Sequence, residues 1–141
     1  MIKKKRVGYF EYDPVIYPRK LWVHIGDDFK ELASKAFCNI VVDEDKDYYG
    51  VEYGEVIRKS DDKYGILVSF PKRKDMTMEI CAHEASHACD DLEKATGIKH
   101  GDEPSAYLIG WIASCINKAR LGIGDFVEVE DLKDKKKNKK K

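Results

Sequence analysis

The chain has 141 residues, enough for one hydrophobic core but not for two comfortable ones, and no internal repeat divides it. Its hydrophobic share of 43% suits a globular domain. No apolar run approaches the roughly 18 residues of a membrane span, and the basic segment Met1 to Arg6 has no apolar signal core behind it. These features favour one cytoplasmic domain and exclude a membrane-spanning protein.

The formal net charge of zero conceals an uneven distribution along the chain. Residues 133–141 hold seven lysines and one aspartate and carry +6, so residues 1–132 carry −6. Repulsion among the lysines predicts a disordered tail, which could contact an acidic partner or simply keep the protein in solution. Because the sequence shows neither a basic folded face nor basic residues interleaved with aromatic ones, no specific nucleic-acid binding is inferred.

Two strands are predicted near the N-terminus. An alternating aromatic pattern covers residues 6–12, and Pro14 and Pro18 end it. A short apolar run over residues 21–25 predicts the second strand.

A helix is predicted to follow and to extend to Phe37. Asp27 or Asp28 can cap its N-terminus, and Glu31 stands three residues after Asp28 in a capping-box arrangement.

Three further strands are predicted in the middle of the chain. Residues 38–43 form a β-branched run, residues 49–58 alternate, and residues 66–70 form a short strand that ends at Pro71. A turn-forming segment over residues 60–65 separates the last two. These segments predict a three-stranded antiparallel meander.

Two helices are predicted next. The first covers residues 76–95, with Asp75 as N-cap and Gly97 as the stop, and its apolar or small residues recur at helical spacing. Those residues are Met76, Ile80, Ala82, Ala85, Ala88, Cys89, Leu92 and Ala95. The second runs from Pro104 to about Arg120, and the short connection makes it pack back antiparallel on the first. The predicted fold is therefore α+β, a small antiparallel sheet packed against two helices.

The residues His83, Glu84 and His87 form the pattern H-E-x-x-H inside the first of these helices. Residues four apart lie on one helix face, so both imidazoles can reach one metal ion. Glu84 is rotated to the edge of that face, where it can take a proton from a metal-bound water. The helix looks largely buried, and a metal would remove the cost of burying these groups. The alternative is that they are ordinary core or surface residues.

A catalytic zinc usually has three protein ligands, and Glu103 is the leading candidate for the third. It precedes Pro104 at the start of the second helix, which the short connection would carry toward the histidines. A solvated acid at a helix N-terminus is the alternative. His100 could also bind the metal, and Asp90 and Asp91 could bind it, orient a ligand imidazole or lie at the surface.

Two aromatic residues and the cysteines complete the candidate list. Tyr107, one turn after Glu103, could stabilise an oxyanion or could pack in the core, where Trp111 is expected. The four cysteines, Cys38, Cys81, Cys89 and Cys115, are expected to be buried free thiols in a reducing compartment. A disulfide or a thiolate ligand is the alternative.

The motif and the Glu-led helix resemble the gluzincin type of zincin metallopeptidase in a very short form. The segment from Glu103 to Ile112 is also similar to small bacteriophage and mobile-element proteins in which an H-E-x-x-H helix precedes a Glu-led helix. The resemblance covers roughly residues 64 to 120. It implies zinc ligands His83, His87 and Glu103, Glu84 as the base, and a strand before the motif helix that edges the substrate cleft and could pair with an extended peptide.

The chain departs from related patterns at two points. It has no large C-terminal subdomain, and the metzincin extension is absent because Asp90 and Glu93 stand where glycine and histidine would be needed. The first hypothesis is a zinc metallopeptidase acting on a protein or peptide. The alternatives are a non-catalytic, zinc-stabilised protein-binding module and a metal-free structural protein in which the motif is coincidental.

Overall fold

The computed structural model describes residues 7–42 and 48–129, so the Lys-rich tail predicted over residues 133–141 lies outside the described residues. The fold is α+β, as predicted, with a five-stranded sheet. The strands are β1 (Gly8–Tyr12), β2 (Lys20–Ile25), β3 (Val51–Ile57), β4 (Tyr64–Phe70) and β5 (Asp125–Glu128). The helices are α1 (Phe29–Ala36), α2 (Met78–Thr96) and α3 (Glu103–Arg120). Among the described residues, no helix combines the length and apolarity needed to cross a membrane.

The sheet is mixed, and the prediction of a purely antiparallel sheet is wrong. Its strand order is β3-β4-β2-β1-β5, and β2 pairs with β4 in parallel while the other pairs are antiparallel. After β2 the chain passes through α1 before it returns, and such a crossover allows two strands to run in the same direction. The strand before the motif helix, β4, therefore lies inside the sheet. The edge position predicted for β4 is occupied by β3.

Two further differences concern strand number. Residues 38–42 contain no strand, and residue 43 lies outside the described residues, so the predicted meander reduces to the hairpin of β3 and β4. The extra strand β5 pairs with β1 through contacts such as Phe10 with Phe126. Its four residues are too few and too polar to stand out as a strand in the sequence.

Apolar side chains cover both faces of the sheet. One face packs against α2 and α3 and includes Leu21, Val23, Ile66, Val68 and Phe70. The other packs against α1 and includes Tyr9, Trp22, Val56 and Leu67. The sheet is thus the middle layer of three, and the motif helix belongs to one outer layer.

The ends of α2 follow from local chemistry. Thr77 is the N-cap, and its side-chain oxygen accepts a hydrogen bond from the Ile80 backbone N–H at 3.2 Å, whereas the predicted cap, Asp75, lies in a preceding 3₁₀ turn. Gly97 ends the helix in the left-handed conformation, with φ of 77°, as predicted. The motif is therefore held in the second and third turns of a helix with both ends defined.

Asp28 stands at the N-cap position of α1, but its side chain does not cap the helix. Its carboxylate lies 2.7 Å from Nε2 of the buried His24, whose Nδ1 lies 2.7 Å from the Ser69 hydroxyl. The predicted capping box is therefore wrong, because the carboxylate takes part in a buried hydrogen-bond chain that joins β2, β4 and α1.

All four cysteines are free thiols, as expected, but they differ in burial. Cys89 and Cys115 are buried and Cys81 is half-buried. Cys38 is exposed, so its predicted burial is wrong, because the β-branched run that follows it forms no strand to cover it.

Gly65 of β4 should tolerate no larger side chain. A Cβ there would lie 2.5 Å from the Trp22 ring and 2.7 Å from the Lys20 carbonyl oxygen. We expect Gly65→Ala to lower the free energy of unfolding by about 1–3 kcal/mol through overpacking. The measurement is urea denaturation at constant m-value. The control is Gly110→Ala in α3, because a Cβ on Gly110 would meet no neighbouring side chain or strand within 4 Å. This substitution should leave the free energy of unfolding unchanged or raise it.

Candidate metal centre

The α2 helix divides the H-E-x-x-H motif between solvent and core. The His83 side chain is 67% exposed and His87 is exposed, whereas Glu84 is only 4% exposed. The expectation of a largely buried helix is therefore wrong for the two imidazoles. The buried residues of α2 form a narrow stripe that contacts the sheet and α3, namely Glu84, Ala85, Ala88, Cys89, Leu92 and Glu93.

The two motif imidazoles converge on one point. Nε2 of His83 and Nε2 of His87 lie 3.2 Å apart, with the ring planes at 82° to each other. Two nitrogens bound to one tetrahedral zinc at its usual bond lengths would be separated by about 3.3–3.4 Å. The spacing of the two nitrogens is therefore close to what a single zinc ion requires.

Glu84 completes the cluster from the buried side. Its Oε1 lies 4.0 Å from His83 Nε2, and one ligand atom each from His83, Glu84 and His87 lie within 4.8 Å of one another. Its Oε2 is buried and has no hydrogen-bond partner among the described residues. Burial raises the pKa of this carboxyl, while the charges of His83 and His87 oppose the rise. A carboxylate of raised basicity with an unused oxygen is suited to accept a proton.

The chain just before β3 covers the stem of Glu84. A Cβ on Gly50 would lie 2.9 Å from Glu84 Cγ and 3.1 Å from the Phe70 ring, so this close approach requires glycine. The approach of the strand to the helix thus keeps the Glu84 carboxylate away from water.

The structure places Glu103 at the first residue of α3, where it is exposed. It is not a member of the ligand group at the motif. Ser105, two residues later, is the residue that contacts α2, since its hydroxyl donates to Glu93 Oε1 at 2.7 Å. The α3 helix therefore begins beside the C-terminal half of α2, and the role of Glu103 as third ligand stays a prediction.

His100 and Asp90 belong to a separate group with Glu93. His100 Nδ1 lies 3.1 Å from Glu93 Oε2 and 3.7 Å from Asp90 Oδ1. Hydrogen bonds from Ser105, then Cys89 and His100, together with the charge of His100, lower the pKa of Glu93 against the effect of burial. Neither alternative ligand joins the His83–His87 group.

Tyr107 is 76% exposed, so the alternative of a core aromatic is wrong. It lines a cavity of about 220 Å³ with Pro14, Ile16, Tyr17, Pro104, Leu108 and Trp111. Its proposed contact with an oxyanion stays a prediction. Trp111 is half-buried and packs against the core beneath α3, in keeping with its expected place.

The sequence interpretation missed Glu52, which faces the motif helix from β3. Its pKa is raised from 4.5 to about 9, first by burial and then by a hydrogen bond with Asp91 and the charges of Asp91, Glu84 and Asp90. The available signal was an acidic residue between two glycines in an alternating strand, Gly50-x-Glu52-x-Gly54. Such a residue points to the same side as the two glycines that allow close approach.

No protein-family model, curated protein or solved structure matches this chain. The site geometry and the sequence motif are therefore the basis for a functional proposal.

Glu52 should make the metal-free protein less stable as pH rises. The folded-state pKa of about 9 exceeds the ordinary value of 4.5, so the folded state keeps a proton that the unfolded chain releases. The contribution of this proton to the free energy of unfolding is complete below the ordinary pKa of 4.5 and is lost as pH rises through the folded-state pKa of about 9. We expect Glu52→Gln to flatten this fall, measured by denaturant unfolding of chelated protein from about pH 5 to about pH 9. Glu55→Gln, at an exposed position of the same strand, should retain the wild-type slope.

Proposed function

We propose that this domain is a zinc-dependent hydrolase that cleaves a peptide bond in a protein or peptide. The observation that carries the proposal is the 3.2 Å separation of the His83 and His87 Nε2 atoms beside the buried Glu84 carboxylate. When bound, zinc would polarise the scissile carbonyl and lower the pKa of a water toward about 7. Together these residues supply one proton acceptor and two of the three protein ligands that a catalytic zinc usually has.

In this proposal Glu84 moves the proton. Its Oε2 has no hydrogen-bond partner among the described residues and can accept a proton from the attacking water. The protonated carboxyl can then donate to the departing amine. Burial makes the charged form less favourable, so this carboxylate is a stronger base than an exposed glutamate.

The exposure of the imidazoles supports a large substrate. His83 and His87 lie on the solvent side of α2, where a protein or an extended peptide can reach them without entering a deep pocket. The edge strand β3 borders the same helix. Asn39 and Cys38 bond to the end of this strand at Glu55 and Ile57, so we place the pairing of a peptide at its beginning, beside the motif. A peptide held by that strand would lie along the motif.

Glu103 is our proposed third ligand, and the support for it is the resemblance of the Glu-led helix α3 to the gluzincin pattern. Its exposed side chain at the first turn can change rotamer at little cost. Tyr107 is retained as the proposed oxyanion contact because it lies one turn after Glu103 along α3.

A non-catalytic, zinc-stabilised binding module is the second candidate. It is favoured by the same exposure, because an ion held by His83 and His87 would be accessible to a side chain of a partner protein. The two candidates differ in their need for Glu84, which is essential to a hydrolase and dispensable to a module that only binds zinc.

Purified protein should bind about one zinc per chain, and His83→Ala or His87→Ala should abolish binding because each removes one of the paired nitrogens. Elemental analysis after dialysis with zinc is the measurement. His100→Ala is the matched control, since His100 belongs to a different group and should leave the stoichiometry unchanged. Glu103→Gln should weaken zinc retention against a chelator. A fully folded protein that retains no zinc would contradict the proposal.

Glu84→Gln should retain zinc but lose peptide hydrolysis by about 10²–10⁴-fold, because the proton acceptor is gone while both nitrogen ligands remain. Turnover of an unfolded protein substrate, together with metal analysis of the same sample, measures both effects. A wild-type protein that binds zinc and a partner but has no Glu84-dependent turnover would favour the binding module instead.

A further inference from the structure

We infer that Glu52 and Asp91 form a second cation site, between β3 and α2 and beside Glu84, and that this site binds a hard divalent cation. The inference goes beyond the proposed hydrolase and does not depend on zinc at His83 and His87. It follows from how the strand is placed against the helix, from unused carboxylate oxygens and from the charges around them.

The placement comes from the alternation along the strand. Glu52 pairs with Val68, whose side chain packs on the α2–α3 face, so Gly50, Glu52 and Gly54 all point toward α2. A Cβ on Gly54 would lie 2.4 Å from the Asp91 carboxylate, just as one on Gly50 would lie 2.9 Å from Glu84 Cγ. Glu52 is therefore held between two acidic residues of the helix.

The carboxylate oxygens in this space are incompletely used. Oε2 of Glu52 and Oε2 of Glu84 are both buried, and neither has a hydrogen-bond partner among the described residues. Glu84 is 96% shielded from solvent, since only 4% of it is exposed, and its charge acts on Glu52. Buried acceptors without donors are rare and unfavourable, so the unused oxygen of Glu52 is available to a cation, whereas that of Glu84 is the proton acceptor of the proposed hydrolase.

The charges indicate that the ligand is a cation. Burial, a hydrogen bond with Asp91 and the charge of Asp91 raise the pKa of Glu52, so in the metal-free protein Glu52 keeps a proton that a cation could replace. Within residues 7–42 and 48–129 neither of them forms an ion pair with a lysine, an arginine or a histidine. The charges of Asp91 and Glu84 thus act on Glu52, and no basic residue of the described ranges forms an ion pair with Glu52 or Asp91, an arrangement that a cation would relieve.

The donor atoms select the kind of cation. Carboxylate oxygens suit magnesium, calcium and manganese, and water can fill the remaining coordination positions. Imidazole nitrogens favour zinc, so the His83–His87 pair and the Glu52–Asp91 pair should bind different ions. A cation at the second site would join the edge strand to the motif helix and fix the position of Glu84.

The other acidic group of α2 does not share these properties. The carboxylate of Glu93 already bonds to Ser105, Cys89 and His100, which accounts for its burial without a metal. The Glu93 carboxylate thus has hydrogen-bond partners, whereas Glu52 and Glu84 each have one oxygen without a partner among the described residues.

The test is titration of the zinc-loaded full-length protein with Mn²⁺, with free Mn²⁺ measured by electron paramagnetic resonance. We expect one Mn²⁺ per chain in addition to zinc, displaced by Ca²⁺ or Mg²⁺. Glu52→Gln and Asp91→Asn should each weaken binding by at least about tenfold, since each removes one charged ligand. Glu55→Gln, exposed on the same strand, is the matched control and should bind as the wild type does.

Three outcomes would overturn the inference. They are absence of Mn²⁺ binding to folded wild-type protein, equal affinity in the wild type and both site variants, and equal weakening by Glu55→Gln. The double variant His83→Ala/His87→Ala separates this question from the hydrolase proposal. It should lose zinc and still bind Mn²⁺, whereas failure of zinc binding in the wild type would leave the Mn²⁺ result intact.

Discussion

The close approach of β3 to α2 is the constraint on which the site depends. Glycines at positions 50 and 54 allow the strand backbone to lie against the side chains of Glu84 and Asp91. That contact makes Glu84 a buried carboxylate while His83 and His87, on the same helix, remain at the surface. One helix thereby presents two imidazole nitrogens to solvent and keeps a carboxylate in a less polar environment, where its basicity is increased.

The layers behind this contact hold it in place. β4 lies between the edge strand and the parallel partner β2, and its side chains Val68 and Phe70 are fully buried. On the far side, the hydrogen-bond chain through His24 joins β2 and β4 to the start of α1. The strand that covers Glu84 is thus supported from behind by the sheet and by this hydrogen-bond chain.

The sequence predicted local features well. Gly97 ends α2, Pro104 lies in the first turn of α3, and the motif spacing brings the two imidazoles together. These features depend on residues a few positions apart, whose effects are nearly independent of the rest of the chain.

Features set by distant contacts were not predicted. The parallel pairing of β2 with β4 depends on the path through α1, and β5 exists because β1 offers it an edge. The exposure of His83 depends on which side of α2 meets the sheet, and small residues such as Ala82 and Ala95 fit either side equally well. Glu52 could be recognised as a site residue only after β3 had been placed against the helix.

The irregularity in β3 between Tyr53 and Val56 has a consequence for how this strand can vary. In a regular strand Glu52, Gly54 and Val56 would share one face, but Val56 is buried with Trp22 in the core beneath α1. One extra residue thus lets a single strand serve the site at its beginning and the opposite core at its end. Loss or gain of one residue here would move either Glu52 or Val56 to the wrong side of the sheet. The site and the core therefore fix the number of residues in this strand, as well as the acidic residue at position 52.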